Sequence, residues 1–396
     1  MENPLEYQGQ YTGCKVFTND IEQHAVAQIY DFLNSPAFAG CQIRIMPDVH
    51  AGKGAVVGFT SPLSDKVIPN VVGVDIGCGV QAMRLGGTES KSHKIGKIES
   101  ILPEFDRYLR KNVPSGFSSL ERPSKRREWL YKLWFSRGSD WEGFEKDVGN
   151  LAQRVGSDIS KVWCQPGSLG GGNHFIEIGR GLDEALWLIV HSGSRNFGLK
   201  IAEFHQKKAV ASMGRKNGLE WLEGDDAQSY LRDMRIAQKF AMLSRLVMMD
   251  VLADFFDVKI RDAEIVTSVH NFIGDDDIIR KGAISAKLGE TVIIPWNMRD
   301  GVVIGKGKGN PDWNNSAPHG AGRKMSRSQA KRELGVTEFK QVMADSGVWS
   351  SCIGQGTLDE SPMAYKDSVD VASYIGDTVE VVDKLKPIYN FKAGGE

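Results

Sequence analysis

The chain has 396 residues, 41% of them hydrophobic and 25% charged, a balance that supports a large folded core and argues against extended disorder. A net charge of −1 and a pI of about 6.7 exclude a global basic field for nucleic acid, but not a local basic patch. No apolar run approaches the roughly 18 residues of a membrane helix, and the N-terminus has no leader-like basic and apolar pattern.

The five cysteines, Cys14, Cys41, Cys78, Cys164 and Cys352, are odd in number and lack CxxC spacing. A disulfide framework is therefore not expected, and a reducing, cytoplasmic location is. Glycine makes up 44 residues, about 11% against a usual ~7%, and clusters in loops where backbone turns sharply or meets a ligand.

In chain order, residues 21–33 are predicted to form a helix capped by Asn19 or Asp20. Residues 41–82 read as short strands joined by glycine-rich turns, and 98–110 as a helix. The stretch 121–137 carries Arg122, Lys125, Arg126, Arg127, Lys132 and Arg137, interleaved with Trp129, Tyr131, Trp134 and Phe135. Such a segment suits RNA, with cations for phosphates and rings for stacking, but a solvated amphipathic helix has the same pattern. Helical spacing continues over 141–155.

An apolar run over 186–190 reads as a buried strand ending at His191. Residues 199–213 read as a helix, and 225–256 form the longest periodic segment. There Leu231, Met234, Phe240, Leu243, Val247 and Val251 recur as a core-facing stripe. Residues 265–269 read as a strand ending at His270, with strands over 291–294 and 302–304 and a basic-starting helix over 326–344. No repeat, low-complexity tract or linker interrupts the chain. Short strands with long helical insertions predict one α+β domain spanning 1–396.

Eight histidines stand at 24, 50, 93, 174, 191, 205, 270 and 319, and four share one setting. His174 follows Gly170-Gly171-Gly172-Asn173. His191 opens His191-Ser192-Gly193-Ser194-Arg195, His270 ends a strand beside Asn271, and His319 lies between Pro318 and Gly320. Strand ends and glycine loops are where a rigid scaffold presents side chains.

The loop Val74-Asp75-Ile76-Gly77-Cys78-Gly79 adds a carboxylate and a thiol three residues apart. Imidazoles with Asp and Cys make a first shell for a divalent transition metal; the carboxylate favours harder ions such as Mn²⁺, the thiolate softer ones such as Zn²⁺. Any one of these residues alone would more simply be structural: a buried Cys is usually a small hydrophobe. Co-occurrence carries the reading. His24, His93 and His205 are assigned structural roles. His50 lies in Pro47-Asp48-Val49-His50-Ala51-Gly52-Lys53-Gly54, a turn able to cradle phosphate through backbone N–H groups and Lys53.

Taken together these motifs resemble the RtcB family of RNA-splicing ligases. The resemblance runs from about Pro47 to the C-terminus. It rests on Pro47-Asp48-Val49-His50, Gly73-Val74-Asp75-Ile76-Gly77-Cys78-Gly79, Gly170-Gly171-Gly172-Asn173-His174-Phe175-Ile176-Glu177, His191-Ser192-Gly193-Ser194-Arg195, His270-Asn271 and His319-Gly320-Ala321-Gly322-Arg323, in the family's order. It implies a single large domain with mixed sheets around a central metal and nucleotide cleft and helices at the periphery.

By the same resemblance, Asp75, Cys78, His174, His191 and His270 match the ligands of two Mn²⁺ ions, with the thiolate shared. His319 matches a histidine that becomes covalently guanylylated by GTP. The nucleotide-contacting set is Asn173, His174, Glu177, His270, Asn271, Pro295, Asn297, Met298, His319, Gly320, Ala321, Gly322 and Lys392, with Glu177 and Lys392 at the guanine. The implied substrate is RNA with a 2′,3′-cyclic phosphate or 3′-phosphate end and a 5′-hydroxyl end, in RNA repair or tRNA splicing. Charge and position make Arg195 and Arg323 candidate phosphate holders.

The chain departs from the family in one loop. Many members carry Pro-Gly-Ser-Met-Gly; this chain has Pro295-Trp296-Asn297-Met298-Arg299-Asp300-Gly301, and a later serine becomes Val302. The loop is expected to hold the nucleotide differently, as in a divergent subgroup suited to RNA repair, with Gly305-Lys306-Gly307-Lys308-Gly309 adding positive charge nearby. Two other classes of function fit the residues: a metal-dependent phosphoesterase acting on cyclic-phosphate ends, and a non-catalytic RNA-binding protein.

Overall fold

The computed structural model describes residues 4–52, 54–87, 92–135, 140–214 and 216–393; Lys53 and Arg137 lie outside them. Its strands are β1 (Leu5–Gln8), β2 (Gly13–Val16), β3 (Ile43–His50), β4 (Val57–Pro62), β5 (Gly79–Gly86), β6 (Phe175–Arg180), β7 (Leu186–Ser192), β8 (Ile265–Val269), β9 (Asn271–Ile273), β10 (Ile278–Lys281), β11 (Ala283–Ser285), β12 (Thr291–Pro295), β13 (Val302–Gly307), β14 (Ser316–Pro318) and β15 (Val379–Lys392). They form a six-stranded sheet ordered β1-β2-β3-β4-β10-β9, a two-stranded β11-β14 ribbon and a seven-stranded sheet ordered β12-β13-β15-β6-β7-β5-β8. With helices around mixed sheets, the fold is the expected α+β arrangement.

The seven-stranded sheet positions the site. Its order begins with β12 and ends with β8, yet Ile293 N on β12 donates to Ser268 Oγ on β8 at 2.9 Å, so the sheet curls back on its own edge. Alternate residues point to opposite faces of a strand. The inner face gathers Val80, Ala82, Phe175, Trp187, Ile189, Val266, Ile293, Val302, Ile304 and Leu385, which come from all seven strands. The outer face, with Ile176, Ile178, Leu186, Leu188 and Val190, joins the main core beneath the long helix Gly224–Ala253.

That helix buries Leu231, Met234, Phe240, Leu243 and Val247, while Val251 is half-buried. Each fully buried side chain of this kind contributes about 1.5–3 kcal/mol of transfer free energy. The stripe is core packing, as its spacing predicts.

Boundaries differ from expectation in three places. The first helix runs Gln23–Leu33 with Glu22 at its cap position, and no side chain caps it. Glu22 Oε1 instead accepts from Ala51 N at 2.7 Å, drawing the helix start to the end of β3. The helix expected over 199–213 begins at Arg195, whose φ of 59° places it in the left-handed region. The segment 326–344 divides into Arg327–Glu333 and Val336–Ser346, because Leu334 is extended and Gly335 caps the second helix.

Candidate active site

The site is the polar end of the curled sheet. Continuing the inner-face parity along β6 leads from Phe175 to Glu177, and along β7 from Trp187 and Ile189 to His191. Along β8 it leads from Val266 and Ser268 to His270. Antiparallel register sets Asn390 opposite Glu177 and Lys392 opposite Phe175. The same alternation that builds the apolar interior therefore brings side chains from distant sequence to one mouth.

Cys78 Sγ lies 3.4 Å from His174 Nε2 and 3.2 Å from His191 Nε2, all three residues being buried. Asp75 Oδ2 is 3.0 Å from His174 Nε2, and His270 Nε2 is 3.3 Å from His191 Nε2. The five expected metal ligands thus converge.

Their hydrogen bonds test whether a cation fits. His174 Nδ1 donates to Leu169 O at 2.9 Å and His191 Nδ1 donates to Asn173 O at 3.2 Å, because a carbonyl can only accept. Either ring, when neutral, then presents a lone pair at Nε2. Those lone pairs face a carboxylate, a sulfur and another imidazole nitrogen. A cation among them satisfies all these groups at once, once the Cys78 proton is displaced, so the donor set fits a metal ion.

Burial holds His191 and His270 well below the usual imidazole range, which keeps them neutral and metal-competent. Burial, reinforced by Asp75, pushes the Cys78 thiol well above its ordinary value. Burial alone would raise Asp75, but the hydrogen bond and charge of His174 hold it at about 2. A metal ion binding Cys78 must therefore displace a proton.

His319 continues the row, its ring 4.9 Å from that of His270 between centroids. Asp48, fully buried on β3, accepts from His319 Nδ1 at 2.6 Å, from His319 N at 3.0 Å and from Gly320 N at 3.2 Å. The carboxylate fixes the proton on Nδ1 and leaves Nε2 with its lone pair. His50 sits alongside, its Nδ1 donating to Asp48 O, and burial lowers its pKa to about 4. Gly322, with φ of 75°, passes so close that a Cβ there would stand 2.2 Å from Asp48 O.

A cavity of about 460 Å³ opens beside this row, within the range of small-ligand sites. It is lined by Asn173, Glu177, His191, His270, Pro295, Asn297, Met298, His319, Gly320, Ala321, Gly322 and Lys392 among the expected residues. Two of the expected nucleotide contacts, Asn271 and His174, are not among the lining residues. The Nδ2 of Asn271 donates to Asp75 O and its Oδ1 accepts from Gly282 N, so it ties the Asp75 loop to the turn between β10 and β11. His174 also lies outside the lining, turned instead to Cys78 and Asp75.

Several lining residues carried no assigned role in the sequence. Glu177 Oε2 accepts from Asn390 Nδ2 at 2.7 Å, while Glu177 Oε1 and Asn390 Oδ1 have no protein partner. Burial raises Glu177 to about 8, against the hydrogen bond of Asn390 and the charge of Lys392. Lys392 Nζ donates to Glu360 at 2.7 Å; Arg323 and Arg327 also pair with Glu360, and these three cations outweigh burial to hold it at about 2. Trp296 and Tyr365 supply rings to the same wall.

Other expectations resolve plainly. Arg323 lines the cavity. Arg195 does not; its Nη2 donates to Gly116 O at 2.6 Å and Ser118 O at 3.3 Å, and its Nε to Ser168 Oγ. His205 is structural, held by Asp233 at 2.7 Å, and His93 is exposed. His24 is exposed as expected, yet stands at the cavity rim.

In the altered loop, Asn297 Oδ1 accepts from Arg299 N and Asp300 N, and Arg299 pairs with Asp300 at 2.6 Å. Lys306 and Lys308 are bound to Thr291 and Gly376 and lie outside the lining. Buried Arg245, on the long helix, donates to Gly77 O at 2.9 Å and Ser192 O at 2.6 Å, and braces two metal loops from beneath. Its place within an apolar stripe hid it.

What the geometry defines is a row of imidazoles, with a thiol and carboxylates, beside a cavity of small-ligand size. The family model described as tRNA-splicing ligase RtcB matches residues 28–393. RNA-splicing ligase RtcB of Escherichia coli strain K12 is 30% identical over 393 residues, covering 93% of this chain and 94% of the relative. RNA-splicing ligase RtcB2 of a second Escherichia coli strain is 29% identical over 409 residues, covering 95% and 93%. tRNA-splicing ligase RtcB of Aeropyrum pernix is 28% identical over 423 residues, covering 87% and 86%. The chain belongs to the RtcB family of RNA ligases. No helix among the described residues is long and apolar enough to cross a membrane.

Proposed function

We propose that the chain is a Mn²⁺- and GTP-dependent ligase that joins RNA 2′,3′-cyclic-phosphate or 3′-phosphate ends to 5′-hydroxyl ends through a guanylylated His319. The observation that carries this reading is the Asp48–His319 pair. A buried carboxylate 2.6 Å from Nδ1 leaves Nε2 as a nucleophile on the cavity wall.

His319 Nε2 forms a bond to the α-phosphorus of GTP, and the bond to the leaving pyrophosphate oxygen breaks. Asp48 holds the Nδ1 proton and balances the positive charge that builds on the ring. A cyclic phosphate is first opened by water to a 3′-phosphate. An oxygen of that phosphate takes the GMP, returning the electron pair to Nε2. The 5′-hydroxyl then attacks the activated phosphorus, loses its proton, and GMP leaves. Asp75, Cys78, His174, His191 and His270 would hold the manganese, which neutralises charge on phosphate oxygens.

Once Glu177 is ionised, Glu177 Oε1 and Asn390 Oδ1 are two buried acceptors without protein partners at the cavity. Guanine offers donors at N1 and N2 on one edge, whereas adenine offers a single amino group beside an acceptor, so the pair supports GTP. The altered loop 295–302 closes on itself through Asn297 and adds Trp296 to the wall, which supports a divergent nucleotide grip.

Incubation with α-labelled GTP and Mn²⁺ tests the reading. Label is expected on the wild type and absent from His319→Ala. The five-donor cluster is complete without His319, so a phosphoesterase is the second reading. Under it, His319→Ala retains full activity on cyclic-phosphate ends and the wild type takes no label.

A further inference from the structure

We propose that Phe117 is a stacking platform for an unpaired base of the RNA substrate, on the side of the metal cluster opposite His319. The inference rests on the ligase reading above and adds to it a residue that binds RNA.

Phe117 is 87% exposed, and a lone exposed ring by itself means little. What distinguishes it is how firmly its turn is held and where. Leu169 N donates to Pro114 O at 2.8 Å, Gly116 N to Gly170 O at 2.9 Å and Leu120 N to Cys164 O at 3.0 Å. Arg195 binds the carbonyls on both sides of the ring, Gly116 O and Ser118 O. Arg195 itself has a left-handed φ of 59°, a conformation that costs a non-glycine residue and persists only where surroundings enforce it. The turn is thus fixed from four directions, and its one large side chain is left in solvent.

The turn lies against the glycine loop that carries His174. Leu169, whose amide the turn receives, gives its own carbonyl to His174 Nδ1. A Cβ on Gly171 would stand 3.8 Å from Gly116 Cα, and one on Gly172 would stand 3.8 Å from Arg327 Nη2. The Phe117 turn and Arg327 therefore flank one short loop, with the nucleotide cavity on the Arg327 side. The histidine row runs His319, His270, His191, His174. Phe117 stands at its His174 end and outside the cavity lining, so a base stacked on its ring would leave the nucleotide cavity free for GTP.

The chain continues from this turn into the basic-aromatic segment. There the structure divides the candidates. Arg126 is committed to Asp250 and Asp254, Arg127 to Glu145 and Lys132 to Glu128, and Tyr131 is buried. Arg122 and Lys125 remain exposed and form no ion pair among the described residues. A rigid aromatic followed by uncommitted cations is the combination that grips single-stranded nucleic acid without reading its sequence.

The test compares wild type, Phe117→Ala and Phe117→Trp, using an RNA with a 2′,3′-cyclic phosphate end and a second with a 5′-hydroxyl. Phe117→Ala is expected to raise KM for RNA roughly tenfold or more while kcat at saturating RNA is retained. Phe117→Trp should restore the wild-type KM. The exposed position predicts an unchanged melting temperature, so a fall in affinity cannot be ascribed to unfolding. Wild type that ligates, with KM unaltered in Phe117→Ala, overturns this inference and leaves the ligase reading standing. Wild type that neither binds nor joins these RNAs overturns both.

Discussion

The two ends of the site solve opposite problems. At the metal end, imidazole nitrogens, a thiol and a carboxylate lie within hydrogen-bonding distance of one another with only the weak Cys78 S–H to donate among them. At the base end the charges are already matched: Glu360 is surrounded by Lys392, Arg323 and Arg327, and Asn390 donates to Glu177. The first arrangement needs an ion to become comfortable. The second is comfortable already and leaves two acceptor atoms over. Structural dependence on ligand should therefore concentrate at the metal end, and selectivity at the base end.

The sharpest way to break this contrast is to remove the thiol. Cys78→Ala takes away the atom between His174 and His191, and is expected to lose bound manganese and at least about 100-fold in ligation. Metal analysis and ligation rate check it together. Chelation should lower the wild-type melting temperature by several degrees, because the ion stabilises only the folded cluster. A chelator that leaves the melting temperature unmoved would remove the basis of the contrast.

Asp48→Asn is the next largest. It leaves a group of the same shape at His319 but removes the negative charge that fixes the Nδ1 proton. The rate of labelling from GTP should fall about 10³-fold, with metal content unchanged. Retention of the wild-type rate would show that His319 is not oriented for attack by this carboxylate.

Legibility in the sequence follows the same division. The convergence at the metal end was readable because each candidate ligand sits in a short local motif: Asp75 and Cys78 in one loop, His174 behind three glycines, His191 and His270 at strand ends. The base end was less so. Glu177 and Lys392 came only through family resemblance, and Asn390 and Glu360 had no assigned role, since the β6–β15 register that makes Asn390 Glu177's partner joins positions more than two hundred residues apart. Asn271 was named with its neighbour His270, which lines the cavity, whereas strand alternation turns the Asn271 side chain to Asp75 O and Gly282 N. The basic-aromatic segment looked uniform in sequence, yet tertiary ion pairs take up Arg126 and Arg127, and a pair within its own helix takes up Lys132. The fold class was legible from short strands and long helices, but the closing of the sheet depends on β12 meeting β8, which no local pattern encodes.

At the base end the effects should be smaller and pH-dependent. Glu177 is raised to about 8, and guanine donors require its carboxylate form. GTP affinity should therefore rise about tenfold between pH 7 and pH 9, and Glu177→Gln should flatten that rise while weakening binding. The stability sign is the reverse. A folded pKa above the unfolded value of about 4.5 contributes stability that is present at low pH and lost as pH rises toward 8. Glu177→Gln should melt a few degrees above wild type at pH 9 and close to it at pH 4. Equal pH slopes for wild type and variant would locate the titrating group elsewhere.

The finest test separates the two acceptors. Inosine triphosphate keeps the N1–H of guanine and lacks its amino group. If Glu177 Oε1 and Asn390 Oδ1 divide the two donors between them, Asn390→Ala should cost GTP more than inosine triphosphate. The loss of one neutral hydrogen bond predicts a change of about 2- to 10-fold in the ratio of their kcat/KM values. The metal end should not register the substitution, so manganese content stays at the wild-type level. A ratio unmoved by Asn390→Ala would mean that Glu177 reads the base edge alone and that the Asn390 carbonyl oxygen is satisfied by water. Selectivity would then rest on one carboxylate rather than on the β6–β15 pairing.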